Sequence, residues 1–445
     1  MTHEEVAARL AEARERTLFL MAPLSEEDLH TQHDPLMSPI IWDLGHIAHF
    51  EELWLVRNLE GPVEFGEMPG IYNPFENPRR VRGELALPSL EECRTLMGEI
   101  RSRVLQRMQA VRFDGDDELL RDGYLYAMVL QHEYQHNETM LQTLQLKRGA
   151  PYRAPRRLSP KAADLNRQRA AGVLPARGAA APARGASVRF GGGRVTLGTD
   201  DRSAAYDNER PAHAVDVAPF RIDVYPVTNG EYLEFMRAGG YGTKSLWSDA
   251  GWTWLGEARV DAPKYWMRDG DAWCTRVMDD TQSVDTNRAV CHVNHHEAEA
   301  FARFSGKRLP TEVEWEVAAG WDAERKEMRM FPWGNDPATA TRANIDQLSF
   351  AVAPVGAYEE NWSPLGCYGM IGDVWEWTSS DFLPYPGYET FPYPEYSEVF
   401  LGNEYKVLRG GSWATRPGAI RNSFRNWDYP IRRQIFSGIR CASND

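Results

Sequence analysis

Apolar residues recur every three or four positions through the first third of the chain and then lose that rhythm. From Glu4 to Met21 they fall at Val6, Leu10, Ala13 and Leu18, the spacing of one helix face. Ser38-Pro39 reads as an N-cap with proline at the first helical position, opening a second helix through about Asn58. Ser89, followed by Glu91 and Glu92, caps a third that runs to about Arg112. A fourth covers about Asp117 to Arg148, and residues 60–88 form an intervening loop. Four long helices predict a four-helix bundle over residues 1–148.

Residues 149–187 are dominated by Pro, Ala, Arg and Gly, the composition of an extended tether. Residues 188–445 read as short strands and long irregular loops, beginning with the alternation from Val188 to Gly198. Two helices interrupt them. One spans about His295 to Ser305, and another starts at Thr311, where Thr311 and Glu314 spell a capping box. The fold class is therefore an α domain followed by an α+β, loop-rich domain. The second must be held by side-chain packing, and most of the 15 Trp fall there.

Charge and cysteine usage narrow the partners. A formal net charge of −14 excludes nucleic acid as a general partner. The five Cys are scattered singly without a CxxC, which fits a reducing cytoplasm. The sequence contains neither an apolar signal segment nor a stretch of the ~18–20 apolar residues a membrane span needs.

The candidate chemistry is concentrated in the fourth helix. His132 and His136 lie four residues apart and project from one helix face, where a single metal ion can take both. Burying Glu133, Gln135, Asn137 and Glu138 around them is costly unless something uses them. His132-Glu133-x-x-His136 also spells the zinc protease pattern, with Glu133 as general base. That reading expects a third ligand downstream, yet residues 139–187 contain no His or Glu, and Asp164 is their sole carboxylate. Upstream, the second helix carries His46 and His49, either of which can complete a site across a bundle. Three imidazoles with open positions suit a redox-capable divalent ion, and zinc is the competing assignment. At about 100° per residue, Gln135 lies beside the metal face and Glu138 roughly opposite it, while Glu133 is not excluded from it.

These residues resemble the iron site of the ergothioneine sulfoxide synthases, which join a DinB-like bundle to a formylglycine-generating-enzyme-like, C-type-lectin-related domain. The second half carries matching motifs: Gly306 to Glu316, Phe331 to Asn335, Gly369 to Thr378 and Leu408 to Trp413. The resemblance implies an oxidoreductase with Fe(II) on His46, His132 and His136, coupling a thiol to C2 of the hercynine imidazole with O2 and leaving a sulfoxide. It implies that Gln135, Asn426, Trp427 and Asp428 border the hercynine pocket. Arg79 and Arg82 match an arginine pair suited to the carboxylates of γ-glutamylcysteine, whose amine Asp428 would take. A tyrosine proton donor is expected at Tyr393, with Tyr396 close by.

The rivals are a formylglycine-generating enzyme, an ovothiol-type or selenosugar-coupling synthase, and a lectin-like binding module. The first needs reactive Cys in the C-terminal stretch, where Cys441 stands alone. Cysteine is the alternative thiol donor. A structural Ca2+ in the second domain and a monomeric or weakly oligomeric state complete the expectations.

Overall fold

The computed structural model describes residues 2–59, 70–155 and 185–445. Most of the expected tether, and part of the loop expected at 60–88, lie outside the described residues. The chain divides into two compact units. The first comprises Met1–Pro155 with two short distant segments, Asp201–Asp207 and Thr390–Tyr396. Both segments fall within residues 188–445, the stretch expected to form the second domain.

In the first unit the main helices are α1 (His3–Met21), α2 (Glu26–His30), α3 (Ile40–Glu52), α4 (Leu90–Met108) and α5 (Tyr124–Gln145). Capping boxes start α1 at Thr2 and α4 at Ser89. Two expected boundaries need correction. Pro39, in extended conformation, occupies the N-cap position of α3, so Ser38 does not cap it. The Ser38 hydroxyl instead accepts from Arg82 at 2.7 Å. The last helix begins at Tyr124 rather than Asp117 because Asp122 (φ 58°) and Gly123 (φ 79°) turn left-handed and break the helical path. Beyond Glu52, α3 continues as one π-helical turn, Leu53–Arg57.

Apolar faces of α1, α3, α4 and α5 build the core, with Val6, Leu10, Leu44, Ile100, Val104, Leu125 and Leu141 buried. Full burial of one such side chain stabilises the fold by roughly 1.5–3 kcal/mol. A polar network runs through the same core. Arg14 of α1 meets Glu133 of α5 at 3.0 Å and Glu51 of α3 at 2.7 Å. Arg101 of α4 reaches Glu51 at 2.6 Å, and the Thr17 hydroxyl donates to Glu133 at 2.7 Å. Buried ion pairs add little net stability, but removing one partner strands the other charge. The network therefore fixes the relative register of the helices, including the α3–α5 pair.

Among the described residues the second unit contains five small sheets. Its largest joins Trp375–Phe382, Gly402–Arg409, Asn426–Asp428 and Ser437–Gly438, and a three-stranded sheet joins Ser187–Phe190, Phe220–Asp223 and Ala442–Asn444. Both expected helices are present, at His295–Phe304 and Glu312–Gly320, the latter with its Thr311–Glu314 capping box. Helices at Asn229–Arg237 and Asp249–Ala258 were not anticipated. Trp315, Trp377 and Trp413 are fully buried. Arg440–Glu376 and Arg425–Glu312 form buried ion pairs between segments distant in sequence.

Candidate metal centre

Helices α3 and α5 bring His46, His132 and His136 together, with one ring nitrogen of each within 4.8 Å of the others. Nε2 of His46 lies 3.1 Å from Nε2 of His132. His46 and His132 are held neutral: burial pushes both well below the ordinary imidazole range, and the neighbouring imidazole charges push the same way.

Outer contacts set which nitrogen is available. Nδ1 of His46 lies 2.9 Å from the Tyr72 carbonyl, which can only accept, so Nδ1 carries the hydrogen and Nε2 keeps its lone pair. Nδ1 of His136 lies 3.1 Å from the Asp43 carboxylate, with the same consequence. Ring contacts restrain the planes. Trp42 stacks on His46 at 4.9 Å and Phe50 on His132 at 3.7 Å. Gly45 is required here, since a Cβ would sit 2.3 Å from the Tyr72 ring, and Tyr72 supplies the carbonyl that orients His46. Three converging imidazoles, two with tautomers fixed by outer contacts, fit a divalent transition ion and do not offer the all-oxygen shell that Ca2+ takes.

The sequence left His46 and His49 as alternatives. His49 stands outside the cluster, with Nδ1 3.5 Å from Glu52 and its ring 4.8 Å from that of Tyr72. Glu133, in the general-base position of the protease spelling, is consumed by Arg14 and Thr17. Burial alone would raise its carboxyl, but Arg14 and the hydrogen bonds win and hold it below the usual range. It is a structural anion.

Other expected site residues share this unit. Gln135 donates to the Tyr396 hydroxyl at 2.8 Å. Tyr393 is buried, its ring 6.1 Å from Phe50 and 5.0 Å from Trp54. Burial raises both phenols well above their ordinary value, with Tyr206 adding to the effect, so both keep their protons. Arg82 is buried over the Trp42 ring at 3.5 Å and donates to the Asn77 carbonyl at 2.8 Å. Burial and the charge of Arg79 pull its guanidinium down to about 9, which Asp43 only partly offsets. Since arginine stays charged in proteins, this strain marks a cation that lacks an anion. Among the described residues no carboxylate pairs with it. Arg79 is exposed on the same 3-10 segment, Arg79–Glu84.

Asn426, Trp427 and Asp428 form one strand of the second unit. There Trp427 stacks on Phe382 at 4.1 Å, and Asp428 pairs with Arg432 at 3.2 Å.

Sequence reasoning missed Asp43, Trp42, Tyr72 and Tyr206. Asp43 and Trp42 sit one turn before His46, a spacing that was readable. Tyr206 stacks on Tyr396 at 3.9 Å from a remote segment, which no local signal reveals.

A helical bundle with three imidazoles converging from two helices, followed in the chain by a strand-and-loop unit, defines a two-domain protein with a candidate metal centre. The DinB superfamily model matches residues 9–140, and the sulfatase-modifying factor enzyme 1-like domain matches residues 176–445. The chain is 45% identical to the hercynine oxygenase of Mycobacterium tuberculosis, over 99% of this chain and 98% of that one. It is 42% identical to the hercynine oxygenase of Mycolicibacterium smegmatis, over 99% of both chains. Among solved structures it is similar to PvdO from Pseudomonas aeruginosa, with a TM-score of 0.40 and 22% identity over 60% of this chain and 100% of that one. The chain belongs to the hercynine oxygenase family. Its Cys367 and Cys441 are buried, and burial raises both thiols, Cys367 to about 12, so neither is the reactive thiolate that formylglycine generation needs. No helix among the described residues is long and apolar enough to cross a membrane.

Proposed function

We propose that this protein couples γ-glutamylcysteine to C2 of the hercynine imidazole and oxidises the sulfur to a sulfoxide, a step of ergothioneine biosynthesis. The balance is one C2–H and one S–H bond broken, one C–S and one S–O bond formed, and O2 reduced by four electrons to the sulfoxide oxygen and one water. His46, His132 and His136 would hold Fe(II), which when bound supplies the redox chemistry for O2. The observation that carries the reading is the set of three converging imidazoles, His46 and His132 buried and His136 partly so, with the outer nitrogens of His46 and His136 tied to Tyr72 and Asp43.

The chain's own residues do the rest. The buried, carboxylate-free Arg82 binds a donor carboxylate, and Arg79 takes the other. Asp428 receives the donor amine. Gln135, Asn426 and Trp427 border hercynine, and the Trp427 face suits its trimethylammonium group. Tyr393 keeps its proton through burial and delivers it to reduced oxygen, with Tyr396 and Gln135 bonded beside it. Holding both substrates in one site supplies the proximity term.

Comparing γ-glutamylcysteine with cysteine in an iron-loaded O2-uptake assay tests the donor assignment. A preference for γ-glutamylcysteine is expected, and product with cysteine alone would remove the roles given to Arg79 and Arg82.

A further inference from the structure

A second group of metal-ligating side chains lies in the second unit and has no part in the proposed reaction. His295 and His296 begin the helix His295–Phe304, and Glu299 follows on its next turn. One nitrogen of each imidazole and one carboxylate oxygen of Glu299 lie within 4.8 Å of one another. The spacing explains the convergence: Glu299 is four residues from His295 and three from His296, the two separations that bring helical side chains together.

The imidazoles carry a second, independent signal. His295 is 3% exposed and His296 8% exposed, and Nδ1 of each is buried without a hydrogen-bond partner. Nε2 of His295 lies 3.1 Å from the Thr378 carbonyl. A carbonyl only accepts, so that nitrogen carries the hydrogen and Nδ1 is a buried bare lone pair. A lone pair shut away from water without a donor is unfavourable, and a second buried Nδ1 without a partner, on His296, stands in the same cluster. Burial drives both rings to the neutral, ligating form, His295 to about 3 and His296 to about 4, with Lys406 pushing the same way. The nearby Lys406 ammonium is itself paired with Asp381 at 2.5 Å. Glu299 is held in place by the Ser248 hydroxyl at 3.3 Å and Arg303 at 3.6 Å.

We infer that His295, His296 and Glu299 form a second metal site, for one divalent transition ion of the Zn2+ type, separate from the three-histidine centre. Two imidazoles and one carboxylate are a donor set that zinc takes, with the remaining position left to water. Through the hydrogen bond from His295 to Thr378, the ion would tie this helix to strand Trp375–Phe382.

The test uses full-length protein stripped with a chelator, reloaded with excess Zn2+ and desalted, with zinc counted by elemental analysis. Wild type should retain two equivalents, because the three-histidine centre also accepts zinc once emptied. Glu299→Gln, which keeps the side-chain volume, should retain one. His296→Gln is the second variant, and circular dichroism identifies whichever of the two is folded. Wild type retaining a single equivalent, or folded variants retaining as much zinc as wild type, overturns the site.

Discussion

Asp43 on α3 holds His136 on α5 across the bundle, its Oδ1 3.1 Å from the imidazole Nδ1. A carboxylate on one helix thereby selects the tautomer of a ligand on the other. Removing such a partner typically costs 10–100-fold in metal affinity. Asp43→Ala should lower Fe(II) affinity by about that factor while the helical signal in circular dichroism stays unchanged. Unaltered affinity in an anaerobic iron titration would show that the contact does not tune the centre.

The same titration separates the two histidines of α3. His46→Ala should abolish iron binding, whereas His49→Ala should leave it intact, since His49 sits against Glu52. The opposite pattern would move the third ligand.

Arg82 should control the thiol substrate alone. A hydrogen bond to a charged group contributes about 1.5–3 kcal/mol, so Arg82→Gln should raise the KM for γ-glutamylcysteine by about tenfold or more. The KM for hercynine should change little. Equal effects on both substrates would make Arg82 a structural residue of the Trp42 stack.

Much of the first unit was legible because its signals are local. The Ser89 cap bonds to a residue three positions on, and the His132–His136 pair falls on one helix turn. The misplaced starts of α3 and α5 arise where backbone geometry overrode a residue preference, at Pro39 and at the left-handed pair Asp122–Gly123. Glu133 was unreadable because its partner Arg14 lies 119 residues away. The sheets of the second unit were equally hidden, since strand Ser187–Phe190 finds its neighbour at Phe220–Asp223, which in turn pairs with Ala442–Asn444 near the other end of the chain.

His292 predicts acid sensitivity of the second unit. Burial lowers its imidazole to about 3, whereas the unfolded chain protonates near pH 6.5. Its contribution to stability is therefore complete above that value and drains as pH falls toward 3, by up to about 1.4 kcal/mol per pH unit. His292→Asn tolerates the left-handed φ of 66° at this position and removes one titrating site. The urea midpoint of the variant should fall less between pH 7 and pH 5 than that of wild type. Parallel losses would assign the acid sensitivity elsewhere.

On the proposed function, the three imidazoles on α3 and α5 would hold Fe(II), and the protein would couple a thiol to hercynine at the expense of O2. The protein should be loaded anaerobically with Fe(II), supplied with hercynine and γ-glutamylcysteine, and started with O2 while uptake and product mass are followed. One O2 consumed per sulfoxide formed, dependent on both substrates and lost in His46→Ala, is the predicted result. Absence of sulfoxide with either γ-glutamylcysteine or cysteine would contradict it.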